Sequence, residues 1–136
     1  MAKIIALDIG GKRTGIAETD FMQIIASPKD TVATEEVMDY LAKAFRQEPF
    51  ETIVIGDPKN LDGGDSDNSE RVRHYQKLLQ NAYPKLNIVL VDERFTSKMA
   101  SQALVKSGMK KSKRQEKGQL DKVSAAIILQ SYIDSL

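Results

Sequence analysis

Hydrophobic residues recur along this chain with two different periods, which predict five strands and four helices. Strands are predicted where branched apolar residues run together or alternate, at residues 3–9, 14–19, 22–26, 53–55 and 88–91. Helices are predicted where apolar residues recur three and four apart, at residues 34–47, 67–82, 97–107 and 120–133. Pro28 is expected to end the third strand, and Thr34 is expected to cap the first helix.

The order of these elements, β-β-β-α-β-α-β-α-α, predicts an α/β fold. Three strands joined by short turns form antiparallel pairs, and the strands that alternate with helices pair in parallel through crossovers. A mixed five-stranded sheet with helices on its faces follows. No internal repeat or linker interrupts the pattern, and 136 residues are the size of one domain, so residues 1–136 are expected to form a single unit.

Composition excludes several kinds of site. The chain has no cysteine and one histidine, which excludes disulfides, thiolate catalysis, iron–sulfur clusters and a zinc site of thiolates and imidazoles. Its apolar runs are too short to span a bilayer, and an acid at position 8 argues against a signal peptide. We therefore expect a cytoplasmic protein without a membrane partner.

Charge is unevenly distributed although the net charge is only +1. Residues 94–117 contain eight basic residues and one acid, a formal charge of +7, which leaves −6 for the rest of the chain. Such a basic stretch is typical of a surface that binds a polyanion. A solvated helix end followed by a mobile loop would have the same composition, and charge alone does not separate the two interpretations.

The first strand contains an acid where an apolar residue is expected. Asp8 shares a strand face with Ile4 and Ala6, while Leu7 and Ile9 lie on the other face. A carboxylate there costs several kcal/mol unless a metal ion or a basic group compensates for its lost hydration. Asp8 is therefore a candidate metal ligand; the alternative is a structural acid that pairs with a nearby base or caps a turn.

Two further acidic positions extend this pattern. The strand at 88–91 runs directly into Asp92 and Glu93, and Asp121 shares a helix face with small residues such as Ala125. Three carboxylates that converge repel one another unless divalent cations lie between them, and all-oxygen ligands suit Mg²⁺ or Mn²⁺. Because neighbouring residues on a strand face opposite ways, either Asp92 or Glu93, and not both, would face such a site.

A glycine-containing turn follows Asp8 directly. Gly10 and Gly11 would allow a phosphate to approach the backbone, with Lys12 and Arg13 as cationic donors. An ordinary hairpin turn, in which glycines only supply positive φ, is the alternative. The segment also resembles the phosphate-binding hairpin of sugar-kinase and actin-like ATPases, which suggests a phosphotransferase. Those proteins, however, close two lobes around the nucleotide, and this chain is long enough for one.

Four separate stretches resemble one family in sequence and in order, and together they cover nearly the whole chain. They are Leu7-Asp8-Ile9-Gly10-Gly11-Lys12-Arg13-Thr14-Gly15-Ile16-Ala17, Ile55-Gly56-Asp57-Pro58-Lys59-Asn60-Leu61-Asp62-Gly63, Val91-Asp92-Glu93-Arg94-Phe95-Thr96-Ser97 and Asp121-Lys122-Val123-Ser124-Ala125-Ala126-Ile127-Ile128-Leu129. The chain thereby resembles the YqgF (RuvX-like) family of ribonuclease H-like proteins, described as Holliday-junction resolvases and as pre-16S rRNA nucleases. Asp57 and Ser124 depart from the usual family pattern.

The resemblance implies one ribonuclease H-like nuclease domain that hydrolyses phosphodiester bonds with two Mg²⁺ (or Mn²⁺) ions. It makes Asp8, Glu93 and Asp121 the metal-binding catalytic carboxylates. It implies 5′-end processing of precursor 16S ribosomal RNA; the alternatives are resolution of Holliday junctions and a non-catalytic nucleic-acid-binding module. A monomer or a homodimer is expected. The residues expected to contact nucleic acid are Lys12, Arg13, Arg94, Thr96, Lys110, Lys111, Lys113, Arg114 and Lys117.

Overall fold

A computed structural model of the protein describes residues 2–58, 68–92 and 117–136. The strands are β1 (Lys3–Ile9), β2 (Arg13–Thr19), β3 (Ala26–Ala33), β4 (Phe50–Asp57) and β5 (Asn87–Asp92). A 3₁₀ turn (Thr34–Glu36) leads into α1 (Val37–Gln47), and α2 (Ser69–Ala82) and α3 (Lys117–Asp134) complete the described elements. The helix predicted at 97–107 lies outside the described residues.

The five strands form one mixed sheet in the order β3-β2-β1-β4-β5. Strand β2 pairs antiparallel with β1 and with β3, whereas β4 pairs in parallel with β1 and with β5. The antiparallel pairs are strands that follow one another in the chain. Of the parallel pairs, β1 and β4 are connected through β2, β3 and α1, and β4 and β5 through α2. The predicted α/β class and mixed five-stranded sheet are confirmed.

Strand β1 lies at the centre of the sheet and is buried on both faces. Ile5, Leu7 and Ile9 pack in a core with α1 and α2. Ile4 and Ala6 pack on the opposite face, in a second core formed with α3. Each fully buried branched side chain contributes about 1.5–3 kcal/mol, so β1 is anchored from both sides.

The third strand begins and ends later than the sequence predicts. The prediction placed it at residues 22–26 and ended it at Pro28, but β3 contains Pro28, and the side chains of Ile24 and Ile25 are exposed before it. A proline fits here because β3 is an edge strand, where a missing N–H is tolerated, and because the register shifts opposite Ile16 and Ala17. Apolar residues in a connecting loop were thus mistaken for a strand.

Thr34 does not cap the first helix as predicted. Its side chain makes no capping hydrogen bond; its hydroxyl donates to the carbonyl oxygen of Gly10 (2.7 Å) and lies 2.9 Å from the hydroxyl of Thr14. The backbone N–H of Thr34 also donates to the carbonyl oxygen of Lys12 (3.0 Å). Thr34 therefore fastens the start of the helical segment to the turn between β1 and β2.

Helix α3 buries a face of small residues against the sheet. The apolar pattern predicts burial of Val123, Ile127 and either Ile128 or Leu129. Ile128 and Leu129 are both fully buried, as are Ser124 and Ala125, whereas Val123 and Ile127 are only half-buried. Small side chains allow a helix backbone to lie close to a strand, so shape outweighs hydrophobicity at this contact. No helix within the described ranges combines the length and apolar character needed to cross a membrane.

At the start of β1, Lys3 is a nearly buried cation. Its ammonium group lies 2.9 Å from Glu18 and 3.1 Å from Glu48. Burial by itself lowers the pKa of Lys3, but the hydrogen bonds and charges of the two carboxylates outweigh it, so the pKa of Lys3 is raised above its usual 10.5. The folded state thus holds the Lys3 proton more tightly than the unfolded chain does.

We therefore expect the contribution of Lys3 to the free energy of unfolding to be constant below about pH 10.5. The free energy of unfolding should then fall as the pH rises through the higher pKa that Lys3 has in the folded state. Burial also raises the pKa of Tyr40, to about 12, which adds a loss of the same sign above pH 10. Urea unfolding at pH 9 and pH 11.5 measures the combined loss of stability. The variants Lys3→Met and Tyr40→Phe, measured separately, show how much of that loss each residue causes. If Lys3→Met has the same loss of stability between these pH values as the wild type, the assignment is wrong.

Candidate metal and nucleic-acid site at the end of the first strand

Asp8 faces helix α3 from the carboxyl-terminal part of β1. It alternates with Leu7 and Ile9, which face α1 and α2, so it shares the face of Ile4 and Ala6. Its partner across the β1–β2 pair is Gly15. The Asp8 side chain is half-buried, as befits an acid at the margin of a core.

Helix α3 touches the sheet at Gly15. A Cβ atom added to Gly15 would lie 1.9 Å from the carbonyl oxygen of Asp121 and 2.3 Å from its carbonyl carbon. No residue larger than glycine fits there without moving the helix. Because Gly15 is the strand partner of Asp8, this contact places Asp121 beside Asp8, although the two are far apart in sequence.

Asp121 is held by Arg13. The Nε atom of Arg13 donates to Oδ2 of Asp121 at 2.8 Å, and both side chains remain partly exposed, at 37% and 24%. An ion pair with this exposure contributes little to stability, but it fixes the orientation of the carboxylate. Asp121 therefore already has a basic partner, and this part of the site remains open to solvent.

Alternation along β5 determines the face of the sheet on which Asp92 lies. Val91 packs in the core with α3, and Leu90 packs in the core with α1 and α2. Asp92 therefore shares the face of Leu90 and lies on the side of the sheet opposite to Asp8. Glu93 lies outside the described residues and stays the predicted third ligand.

Of the two glycines in the β1–β2 turn, Gly10 is required by space, and neither is required by backbone conformation. Neither Gly10 nor Gly11 has a φ in the left-handed region. A Cβ atom on Gly10 would lie 2.7 Å from the carbonyl oxygen of Arg13, whereas one on Gly11 would make an ordinary contact with Arg71 at 3.7 Å. The turn is tight because the backbone N–H of Gly10 donates to Arg13 across it (2.9 Å).

Two polar residues that the sequence analysis did not single out for the site hold this turn from the opposite face of the sheet. Thr34 donates to the carbonyl oxygen of Gly10, and the Asn68 amide donates to that of Ile9. Asn68 also accepts a hydrogen bond from Arg71. An asparagine just before a helix is usually interpreted as a cap of its own helix, so its use on a neighbouring strand left no signal in the sequence.

The remaining predicted residues divide into described and undescribed ones. Lys12 is exposed in the turn, and His74, the one histidine of the chain, is exposed on α2. Within residues 2–58, 68–92 and 117–136, no three His, Asp or Glu residues form a group that could hold a metal ion. The side chains outside the described set are those of Glu93, Arg94, Thr96, Lys110, Lys111, Lys113, Arg114 and Lys117.

Comparison with known proteins shows one consistent family across the chain. The sequence profile of the RuvX family, described as Holliday junction resolvase, matches residues 2–135. A protein of Flavobacterium johnsoniae named "Putative pre-16S rRNA nuclease" is 44% identical over 135 residues, which are 99% of this chain and 98% of that protein. Two further proteins with the same name are similar to this chain over comparable lengths. The one from Phocaeicola vulgatus is 43% identical and covers 99% of this chain and 97% of its own length. The one from Flavobacterium psychrophilum is 45% identical and covers 98% of this chain and 97% of its own length.

Proposed function

Since this chain belongs to the RuvX family, we propose that it is a metal-dependent nuclease that hydrolyses phosphodiester bonds of precursor 16S ribosomal RNA near its 5′ end. The relatives that match almost its full length are named for that activity. The observation that carries the proposal is the contact of α3 with Gly15, which brings Asp121 beside Asp8 at the open end of the sheet.

The donor set suits Mg²⁺ or Mn²⁺. Asp8 and Asp121 offer carboxylate oxygens from a strand and a helix that are each fixed by a buried core, and such oxygens are the ligands that these hard cations prefer. We propose that Asp8, Glu93 and Asp121 hold two such ions. Bound there, they would supply a water of lowered pKa and neutralise charge on the phosphate.

Arg13 has two parts in this proposal. Its Nε atom is committed to Asp121, which holds that carboxylate in one orientation. Interaction with the non-bridging phosphate oxygens then falls to its Nη atoms, which belong to the same rigid fork. The arginine thus links the position of a metal ligand to the position of the substrate. A lysine in its place would have to make both contacts from a single nitrogen atom.

Binding of the nucleic-acid backbone is proposed to extend along the basic stretch of residues 94–117. These side chains would contact phosphates and not bases, so affinity would depend strongly on salt and weakly on sequence. Lys12, in the β1–β2 turn, is proposed to contact the backbone as well. Within the basic stretch, the residues we propose for this role are Arg94, Thr96, Lys110, Lys111, Lys113, Arg114 and Lys117.

The proposal is tested by offering the purified protein two substrates. With Mg²⁺, we expect cleavage of a transcript that carries the 5′ leader of 16S ribosomal RNA, and no cleavage once EDTA removes the metal. Denaturing gels of end-labelled RNA measure the rate and the cleavage position. Intact transcript under all metal conditions would contradict the proposal.

A second candidate, resolution of four-way DNA junctions, is favoured by the description of the family profile. A synthetic junction of equal concentration is therefore the second substrate in that assay. Symmetric nicking of the junction with no cleavage of the transcript would replace our first choice with this one. A protein that binds either substrate but cuts neither in Mg²⁺ or Mn²⁺ would be a nucleic-acid-binding module.

A further inference from the structure

The β1–β2 turn has a second, separate cationic cleft on the side of the sheet away from Asp8. This cleft has a volume of about 400 Å³ and is lined by Gly11, Lys12, Thr34, Glu35, Arg71 and Tyr75. Arg13 reaches α3 on one side of the sheet, whereas Lys12 meets α2 on the other. The same short turn therefore contributes to two sites on opposite faces.

The hydroxyl groups of the cleft are occupied in building its wall. Thr34 donates to the carbonyl oxygen of Gly10 at 2.7 Å, and the hydroxyl of Tyr75 donates to the carbonyl oxygen of Thr34 at 3.2 Å. Both bonds tie the turn and the two helices behind it into one unit. The donors available to a ligand are therefore the cationic groups of Lys12 and Arg71.

These two cations are not neutralised within the part of the chain that the structure describes. The ion pairs in that part involve Lys3, Arg13 and Lys29, and neither Lys12 nor Arg71. Of the five N–H donors of Arg71, the described hydrogen bonds use one, to Asn68. Glu35 is the acid of the lining and is exposed, so the formal charge of the lining is +1.

Helix stability does not explain why Arg71 is where it is. It lies in the first turn of α2, where the helix dipole disfavours a cation. Its guanidinium group lies over Gly11: a Cβ atom there would lie 3.7 Å from Cζ, Nη1 and Nη2 alike. A longer side chain at position 11 would cover the guanidinium, so glycine keeps it accessible. An anion between Lys12 and Arg71 would relieve the unfavourable charge and would also face the helix N-terminus.

We propose that this cleft binds a backbone phosphate of the RNA strand that is cut, a few nucleotides from the bond placed at Asp8 and Asp121. The inference rests on the proposed nuclease function. The strand would cross the β1–β2 turn, with Arg13 contacting it on one side and Lys12 and Arg71 holding it on the other. Arg71 is then a positioning residue: it fixes the register of the strand and does not touch the reacting atoms.

The test measures binding of a fluorescein-labelled single-stranded RNA by anisotropy in EDTA, so that no cleavage is needed. For Arg71→Gln we expect binding about fivefold weaker and a slope of log K against log salt that is smaller by about 0.7, the value for one lost phosphate contact on a single strand. Lys12→Gln removes one positive charge from the exposed turn, and we expect the same changes in affinity and salt slope. This variant replaces Arg71→Gln in the test if Arg71→Gln does not fold. Glu35→Gln is expected to bind about twofold tighter, because it removes the acid from the cleft.

Lys77→Gln is the matched control, since Lys77 is exposed on α2 and does not line the cleft. The proposal is overturned if Arg71→Gln and Lys77→Gln have the same salt slope, or if Glu35→Gln does not tighten binding. If the variants change RNA binding as expected but the wild type never cuts RNA, the phosphate-binding cleft is supported and the proposed nuclease function is wrong. A wild type that does not bind RNA would overturn both.

Discussion

Asp8→Asn is expected to reduce cleavage by about a thousandfold while leaving RNA binding in EDTA close to that of the wild type. The change keeps the size of the side chain and removes the charge that we propose as a metal ligand on β1. Asp8 is half-buried on the face of the sheet that packs against α3, and an uncharged amide loses less hydration energy on burial than a carboxylate does. Single-turnover cleavage of the labelled transcript measures the loss.

Two further measurements separate this result from a folding defect. Asp92→Asn makes the same chemical change at a strand end on the opposite face and is expected to cut at the wild-type rate. In the wild type, Mg²⁺ at ten times its dissociation constant should add about 1.4 kcal/mol to the free energy of unfolding, and Asp8→Asn should lose most of this gain. Normal cleavage by Asp8→Asn would end the metal-site proposal.

Gly15→Ala is expected to be among the most damaging single-methyl additions to this protein. The new Cβ atom would meet the backbone of Asp121 at 1.9 Å, and a backbone atom cannot rotate away as a side chain can. Helix α3 would have to lift from the sheet, which we expect to cost about 3 kcal/mol and to lower the melting temperature by about 10 °C. Cleavage should fall as well, because Asp121 moves with the helix.

Gly11→Ala is the natural comparison, since its Cβ atom would meet Arg71 at 3.7 Å, an ordinary contact distance. We expect its melting temperature to match that of the wild type or to exceed it slightly, as the unfolded chain loses flexibility. Calorimetry of the two variants side by side measures the difference. Equal stability of the two variants would mean that α3 does not press on β2 at Gly15.

Much of the fold could be predicted from hydrophobic period, because β1, β4 and the helices packed on them are buried in a regular pattern. The orientation of Asp8 also followed from alternation with its neighbours. The interpretation failed where shape or sheet position mattered more than hydrophobicity. Ile24 and Ile25 are apolar but lie in a loop, and Pro28 is accepted in a strand because that strand is an edge.

The acidic residues of the candidate site could be predicted from the sequence, but the residues that hold them in position could not. Carboxylates in apolar surroundings are conspicuous in a sequence, so Asp8 and Asp121 were singled out without coordinates. The role of Gly15 depends on a helix more than a hundred residues away, and Asn68 donates to a strand and not to its own helix. Contacts of this kind depend on tertiary geometry and leave no local pattern.

The pair formed by Arg13 and Asp121 joins residues 108 positions apart, and this has a consequence for synthesis of the protein. At 5–20 residues per second, a ribosome needs roughly 5–20 s to proceed from one to the other. Throughout that interval the nascent polypeptide has Asp8 and lacks Asp121. A stalled or truncated translation product that ends before α3 would therefore be released without one of the three proposed catalytic carboxylates, and it should be inert towards the RNA around it.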